Sequence, residues 1–472
     1  MAIANAGWMM AGRLCADALS LVLFSIIARE YGPAGLGIYS AYFAIATILY
    51  DIVALGIDDF GVREYTVAKP AERPEVLQRL MRLQLMVATV ALTAVTLFYA
   101  LRSVDLQQLL IFAFLAIFQL SNALARTLLI PSMVEGSLAR LTLASIASRL
   151  GIALVALAAS LAPQPSLMLA LSGFPVFGLA ALAYAIFLHR HNFPAHGLFR
   201  PRGDEWTTLR TLLPFAAANV LSNVVVRIPM VVLLLASEEV AAGLYATAFK
   251  LAELGWVVLM SVPLASYAAL MRAAQVDPDH LASQADHLLR QTLVLGGLIA
   301  WGLYAVAPAV VVPLLGAKVA DARPLVAAMA SFLVIKSIST YLLRLMLVFG
   351  RQGLWLRILA TQVVVTLALT LLLAPRVGVL GTIAALVVGE VVTSVMHYLV
   401  VSERLKGSFL QRRIVAFLIV VGLSTCIAAS IQQLTGWSLL AQAAALVTYV
   451  AGCAISGLLA SDVFRKPVMP VA

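Results

Sequence analysis

Charge is scarce in this chain. Asp, Glu, Lys and Arg make up 11% of its 472 residues, against about 25% in soluble domains. Hydrophobic residues fill 62% of the sequence, and the mean hydropathy is +1.00. Cysteine is nearly absent: Cys15, Cys426 and Cys453 lie in apolar stretches without paired spacing. That excludes a disulfide framework and a cysteine metal site, and leaves them as small packing residues. Long polar segments are missing too. The longest, near 60–78, 191–208 and 273–287, are too short to fold alone, so no catalytic domain is attached. No Walker-type glycine loop is present, which argues against direct drive by ATP. Asp277-Pro278-Asp279 superficially matches a metal-holding acidic pair, yet it stands in a short loop and reads as solvated. No enzyme activity, catalytic residue, cofactor or metal is expected.

The chain is instead rich in apolar windows long enough to cross a bilayer. They lie near 7–29, 37–59, 78–101, 106–130, 138–161 and 166–189. A second set lies near 209–236, 240–270, 288–315, 324–350, 353–375 and 378–402, followed by 411–432 and 437–461. The predicted fold class is an all-α integral membrane protein with about fourteen transmembrane helices. No basic region or small-residue cleavage site precedes the first stretch, so it reads as an uncleaved span. Basic residues gather in alternate connections, such as Arg63, Lys69, Arg73, Arg79 and Arg82, then Arg190, Arg200, Arg202 and Arg210. The intervening connections hold only Arg29, Arg102, Lys318, Arg323 and Arg376. By the positive-inside rule both termini are cytoplasmic. The net charge of +10 is thus mostly a topology signal and does not point to nucleic acid.

A charge at mid-bilayer costs about 2.5–3.5 kcal/mol on insertion scales, so the charges that do enter the spans carry information. Arg13 and Asp17 stand four apart on one helical face, and Lys250 and Glu253 share another. Lys336 and Arg344 share a face of span 10. Arg149 and Arg227 stand alone in spans 5 and 7, and Asp51 and Glu390 are the remaining deep acids. Two readings apply: the charges pair and fasten helices, or the six bases face a polar cavity that attracts an anion. A diphosphate suits such a cavity, because arginine offers bidentate donors and lysine a mobile point charge. Asp17, Asp51, Glu253 and Glu390 are candidates for proton or sodium coupling, with ion pairing as the simpler role. Pro131, Pro175, Pro214, Pro229, Pro263 and Pro308 mark bends in the spans. Trp8, Trp206, Trp256, Trp301, Trp355 and Trp437 read mostly as anchors at the membrane interface.

Gly37-Ile38-Tyr39 recurs as Gly243-Leu244-Tyr245 at an offset of 206 residues, each time opening the second helix of a six-span block. Equal span counts and equal orientation suggest two related lobes, arranged as parallel repeats with a site between them. At this level the chain resembles a known family. Ala28-Arg29-Glu30-Tyr31-Gly32-Pro33 with Gly35-Leu36-Gly37-Ile38-Tyr39, then Leu55-Gly56-Ile57 ahead of Arg63-Glu64, is similar to polysaccharide-exporting flippases of the Wzx type. Glu239-Val240, Gly243-Leu244-Tyr245, Ala248-Phe249-Lys250-Leu251, Glu253, and Gly378-Val379-Leu380-Gly381 leading to Gly389-Glu390 follow the same pattern.

The resemblance implies the fold of the multidrug, oligosaccharidyl-lipid and polysaccharide exporter superfamily. That fold has two pseudo-symmetric six-helix lobes around a V-shaped central cavity, plus two C-terminal helices. The implied domains are an N-terminal lobe at 1–208, a C-terminal lobe at 209–405, and two extra helices with a tail at 406–472. The implied function is translocation of undecaprenyl-diphosphate-linked oligosaccharide across the bacterial inner membrane by alternating access, for O-antigen, capsule or exopolysaccharide. Membrane lipids, a polysaccharide polymerase and export machinery are the implied partners of a monomer. A peptidoglycan lipid II flippase and a multidrug antiporter of the same superfamily are the alternatives. The second is disfavoured by six deep bases against four acids. One departure is that Arg227-Ile228 precedes Pro229 where the family often has an acid, so no coupling role carries over to that position.

Overall fold

Hydrocarbon offers backbone groups no partner, so a crossing segment must satisfy its own N–H and C=O groups. Helices do this throughout. The computed structural model describes residues 2–101, 105–135, 138–190, 205–236, 238–405, 409–435 and 438–459, and no strand occurs among them. Thirteen helices among these residues are long and apolar enough to cross a membrane. The first, Leu14–Ala54, has 41 residues, or about 60 Å at 1.5 Å per residue, twice the hydrocarbon thickness. It breaks at Gly32, where φ is 66° and ψ −166° and Pro33 follows, so it holds two spans. Counting those halves separately gives the fourteen expected from hydropathy.

Two compact units divide the chain: Met1–Ala246 with Leu314–Val319, and Thr247–Pro313 with Ala320–Ala472. The first contains α1 (Ala2–Ala54), α2 (Ile57–Val67), α3 (Arg73–Leu101), α4 (Leu106–Leu128) and α5 (Ile130–Glu135). It also contains α6 (Leu138–Ser160), α7 (Leu167–Leu171), α8 (Gly173–His189), α9 (Glu205–Leu235) and the opening turns of α10 (Glu239–Val276). The second takes the rest of α10, then α11 (Pro278–Ala305) and most of α12 (Ala307–Leu315). It continues with α13 (Arg323–Val348), α14 (Gln352–Val377), α15 (Val379–Ser402), α16 (Phe409–Thr435) and α17 (Ser438–Ile455). The packing boundary falls at 246–247 because α9 lies along α1.

In lipid, apolar side chains gain little by leaving one apolar phase for another, so close contact between helices depends on small residues. The first unit is built around α1, which packs along α4, α6 and α9 and buries Ala28, Ala41, Ala44 and Ala46 completely. The two repeated Gly-aliphatic-Tyr motifs meet here. A Cβ on Gly37 would lie 2.0 Å from the Glu239 carbonyl oxygen, and one on Gly243 would lie 1.8 Å from that of Pro33. Backbone therefore touches backbone, and only glycine permits it. The 314–319 segment joins this unit by exchanging helix caps. Ser25 Oγ and Arg29 Nε donate to the Leu314 carbonyl near the end of α12, the latter at 3.3 Å. Lys318 Nζ returns a 2.6 Å bond to the Glu30 carbonyl just before the break in α1. Each bond satisfies a carbonyl that a helix end leaves open.

In the second unit α13 is central: Ser337 through Leu342 are all buried, as expected of a helix surrounded by others. Gly296 lets α11 press on Ser337, and Gly255 lets α10 approach Ile299 and Leu333. Helices α16 and α17 pack on each other and on α11. Arg413 of α16 reaches Asp286 of α11 at 3.0 and 3.4 Å and donates to the carbonyls of Ser456 and Gly457 beyond α17. Tyr449 and Trp301 add bonds between α11 and α17.

The cysteine expectation changes in detail, and the prolines fall into two groups. Cys15 and Cys426 sit on exposed helix faces, and only Cys453 is buried as a packing residue. Pro131, Pro175 and Pro308 stand in the first turns of α5, α8 and α12, where no intrahelical bond is lost. Pro214, Pro229 and Pro263 are interior to α9 and α10.

Gly37→Ala is predicted to lower stability by about 1–3 kcal/mol, the usual cost of overpacking, because a methyl group there meets backbone. Gly302→Ala, with nothing within 4 Å of its new methyl, should be neutral or slightly stabilising. Thermal unfolding of the two variants in detergent tests this; equal melting points would contradict the contact.

Candidate functional site

Glu390 has no solvent-exposed surface at all, which is costly for a carboxylate in the middle of a membrane helix. Its surroundings explain how it persists. Lys336 Nζ of α13 lies 3.1 Å from both carboxylate oxygens. Gln362 of α14 donates to Oε2 at 2.7 Å, and Ser339 of α13 donates to Oε1. Gly389, beside it on α15, leaves room for Thr366 of α14, so that three helices close around one charge. The ammonium of Lys336 also sits 4.7 Å from the Trp256 ring of α10 and 5.8 Å from Phe332, within range of cation–π attraction. Its side chain keeps 15% of its surface exposed. Thr393, Ser394 and His397 extend the buried polar face of α15, and neither ring nitrogen of His397 has a hydrogen-bond partner.

The other deep charges are less enclosed. On α10 of this unit Lys250 bonds Glu253 at 2.9 Å, the spacing read from sequence. Arg344 of α13 is half-buried, and its Nε is buried without a hydrogen-bond partner. In the first unit Arg149 of α6 donates to Ser20 Oγ of α1. Arg227 of α9 is half-buried, with its Nε likewise unpartnered. Asp51 is buried at the end of α1 and Asp17 half-buried within it. The side chain of Arg13 lies outside the described residues, so its pairing with Asp17 is not described.

A second charged cluster lies around α2 and α3. Arg82 pairs with Glu205 of α9 at 3.0 Å, both nearly buried, and Arg79 pairs with Glu64. Beside them an open basin of about 620 Å³ is lined by Arg63, Arg79 and Arg82 and by Glu64, Glu72 and Glu75. Three bases face three acids there, so the basin offers no excess charge to an anion. Among the described residues no group of histidine, cysteine and carboxylate side chains could hold a metal ion.

The Lys336–Glu390 pairing is invisible to sequence spacing because its members are 54 residues apart on different helices. Trp256, read from sequence as an interface anchor, packs its ring against Lys336. Gln362 and Ser339 carried no signal beyond being polar in apolar spans.

A family model described as polysaccharide biosynthesis protein matches residues 2–267. No curated protein matches the chain significantly. Among solved structures, lipid II flippase MurJ in an inward closed conformation is similar, with a TM-score of 0.68 and 11% identity over 94% of this chain and 98% of that one. An inward-facing multidrug resistance MATE family transporter of the MOP superfamily is similar at a TM-score of 0.56 and 12% identity, covering 85% and 96%. A mutant of the Vibrio cholerae MATE transporter VcmN follows at 0.53 and 14%, covering 86% and 97%. At such identities the likeness is one of fold: many apolar helices arranged as in these transporters.

Lys336→Met strands Glu390 without its counterion and is predicted to cost about 3–5 kcal/mol, the range for breaking a buried pair. Lys336→Met combined with Glu390→Gln should cost less than the single change. Thermal unfolding of both variants decides this; additive losses would mean that the two charges are not coupled.

Proposed function

Because the chain belongs to the polysaccharide biosynthesis protein family, we propose that it translocates undecaprenyl-diphosphate-linked oligosaccharide repeat units across the bacterial inner membrane. The observation that carries this reading is arginine in membrane-spanning helices whose donors are not used up within the protein. Arg227 and Arg344 each bury an Nε without a hydrogen-bond partner. A guanidinium nitrogen buried without a partner is costly, and turning the half-buried side chain so that it meets a diphosphate oxygen relieves that cost with a charge-assisted bond. Arg149, Lys250 and Lys336 add positive charge within the spans, and Arg13 adds a further base by sequence.

The substrate's anionic head and sugars cross with these cations while the polyprenyl tail stays in lipid. Transport proceeds by alternating access, with spans 1–6 and 7–12 as the two moving lobes and both termini cytoplasmic. No bond is made or broken, so the protein is not an enzyme. It acts as a monomer and hands its product to a polymerase and export machinery for surface polysaccharide. Likeness of fold to MurJ supports a second reading, a lipid II flippase. The multidrug reading is weaker because deep bases outnumber deep acids in the spans.

Deleting the gene, then assaying growth, surface polysaccharide and lipid-linked oligosaccharide in the same cells, separates these readings. Viable cells that lack surface glycan and accumulate lipid-linked repeat units on the cytoplasmic leaflet are expected. Lethality with lipid II build-up would favour the second reading, and unchanged glycan and lipid pools would contradict both. Arg227→Gln and Arg344→Gln should each reduce complementation by about 10–100-fold, the worth of one charge-assisted hydrogen bond. Wild-type complementation by both would remove them from the substrate path.

A further inference from the structure

Glu390 and Lys336 are bonded to each other but differ in freedom. The carboxylate is fully buried, held by Gln362 and Ser339 from two other helices, whereas the lysine side chain keeps 15% of its surface exposed at the end of a flexible stem. When an anion draws the ammonium away, Glu390 cannot follow it. A buried carboxylate stripped of its counterion has to be neutralised. Among the described residues, the titratable groups facing it are Lys336 from α13 and, along its own helix, His397. Helix α14 presents the uncharged Gln362 and Thr366, and α10 presents Trp256.

We propose that Glu390 is a proton-binding site switched by Lys336: when the ammonium turns to the diphosphate, Glu390 takes up one proton, and it releases that proton when the ammonium returns. This rests on the anion-transport reading above. One O–H bond forms on Glu390 with a proton given up by the buffer acid in bulk solution, whose conjugate base stays there, and Lys336 stays protonated throughout. Anion binding and proton uptake are thereby linked, so affinity falls as pH rises, by up to about tenfold per unit.

The test uses the full-length protein in nanodiscs with sugar-free undecaprenyl diphosphate as probe. Calorimetric titration in two buffers of different ionisation heat gives the protons taken up per probe bound. Glu390→Gln carries the probe's own ionisation and serves as the reference. The expected result is that wild type takes up about one proton more than Glu390→Gln, and that only wild type loses affinity steeply with pH. Double substitution to Lys336→Met with Glu390→Gln, which removes both charges, should bind more weakly with no excess uptake. Equal proton counts in wild type and Glu390→Gln, with binding in both, would overturn the switch and leave the anion reading standing. Sodium replacing the proton, seen as tighter wild-type binding in sodium than in potassium, would also overturn it. Failure of wild type to bind the probe would overturn the anion reading, and the switch with it.

Discussion

Desolvation of charge is the constraint on which this molecule depends. A carboxylate inside a membrane span has no water to fall back on, so it must be matched within bonding distance or neutralised. Glu390 is matched on every side: an ammonium at 3.1 Å, an amide at 2.7 Å and a serine hydroxyl, drawn from α13 and α14. That requirement aligns three helices at one level and places Trp256 of α10 against the same lysine. Elsewhere Arg413 answers Asp286 and, by also capping the end of α17, fastens the C-terminal helices to α11. Arg227 and Arg344 each keep a buried Nε without a hydrogen-bond partner.

Packing between helices follows a different rule, since lipid gives little reason for apolar faces to leave it. Glycine and alanine set the distances. Gly37 and Gly243 bring the openings of two helices into backbone contact, and these are the positions at which the chain repeats itself. The motif reads as a signature in one dimension and as a mutual contact in three. The caps exchanged by Arg29 and Lys318 secure the 314–319 segment to α1. Large apolar side chains such as Val90 and Leu97 are left on exposed faces, where lipid rather than water suits them.

Much of this was legible in the sequence, and the limits have physical causes. Helices crossing a bilayer announce themselves by length and composition, so the spans, the break at Gly32-Pro33 and the local Lys250–Glu253 pair could all be read. The residues that hold Glu390 could not, because Lys336 and Gln362 come from other helices and no spacing rule links them. Trp256 reads as an interface anchor by residue type, and its contact with Lys336 comes from another helix. Helix α9 packs along α1, and periodicity within one helix cannot show which other helix it meets.

The central claim is that cations buried in these spans carry a lipid-linked anion from one leaflet to the other. A direct test reconstitutes the protein into vesicles carrying a labelled undecaprenyl-diphosphate oligosaccharide in both leaflets and adds a membrane-impermeant glycosidase. With the protein present, nearly all of the label should become accessible, and charge removal at Arg227 and Arg344 together should slow that access severely. If only the outer-leaflet half is cleaved whether or not the protein is present, the account is wrong.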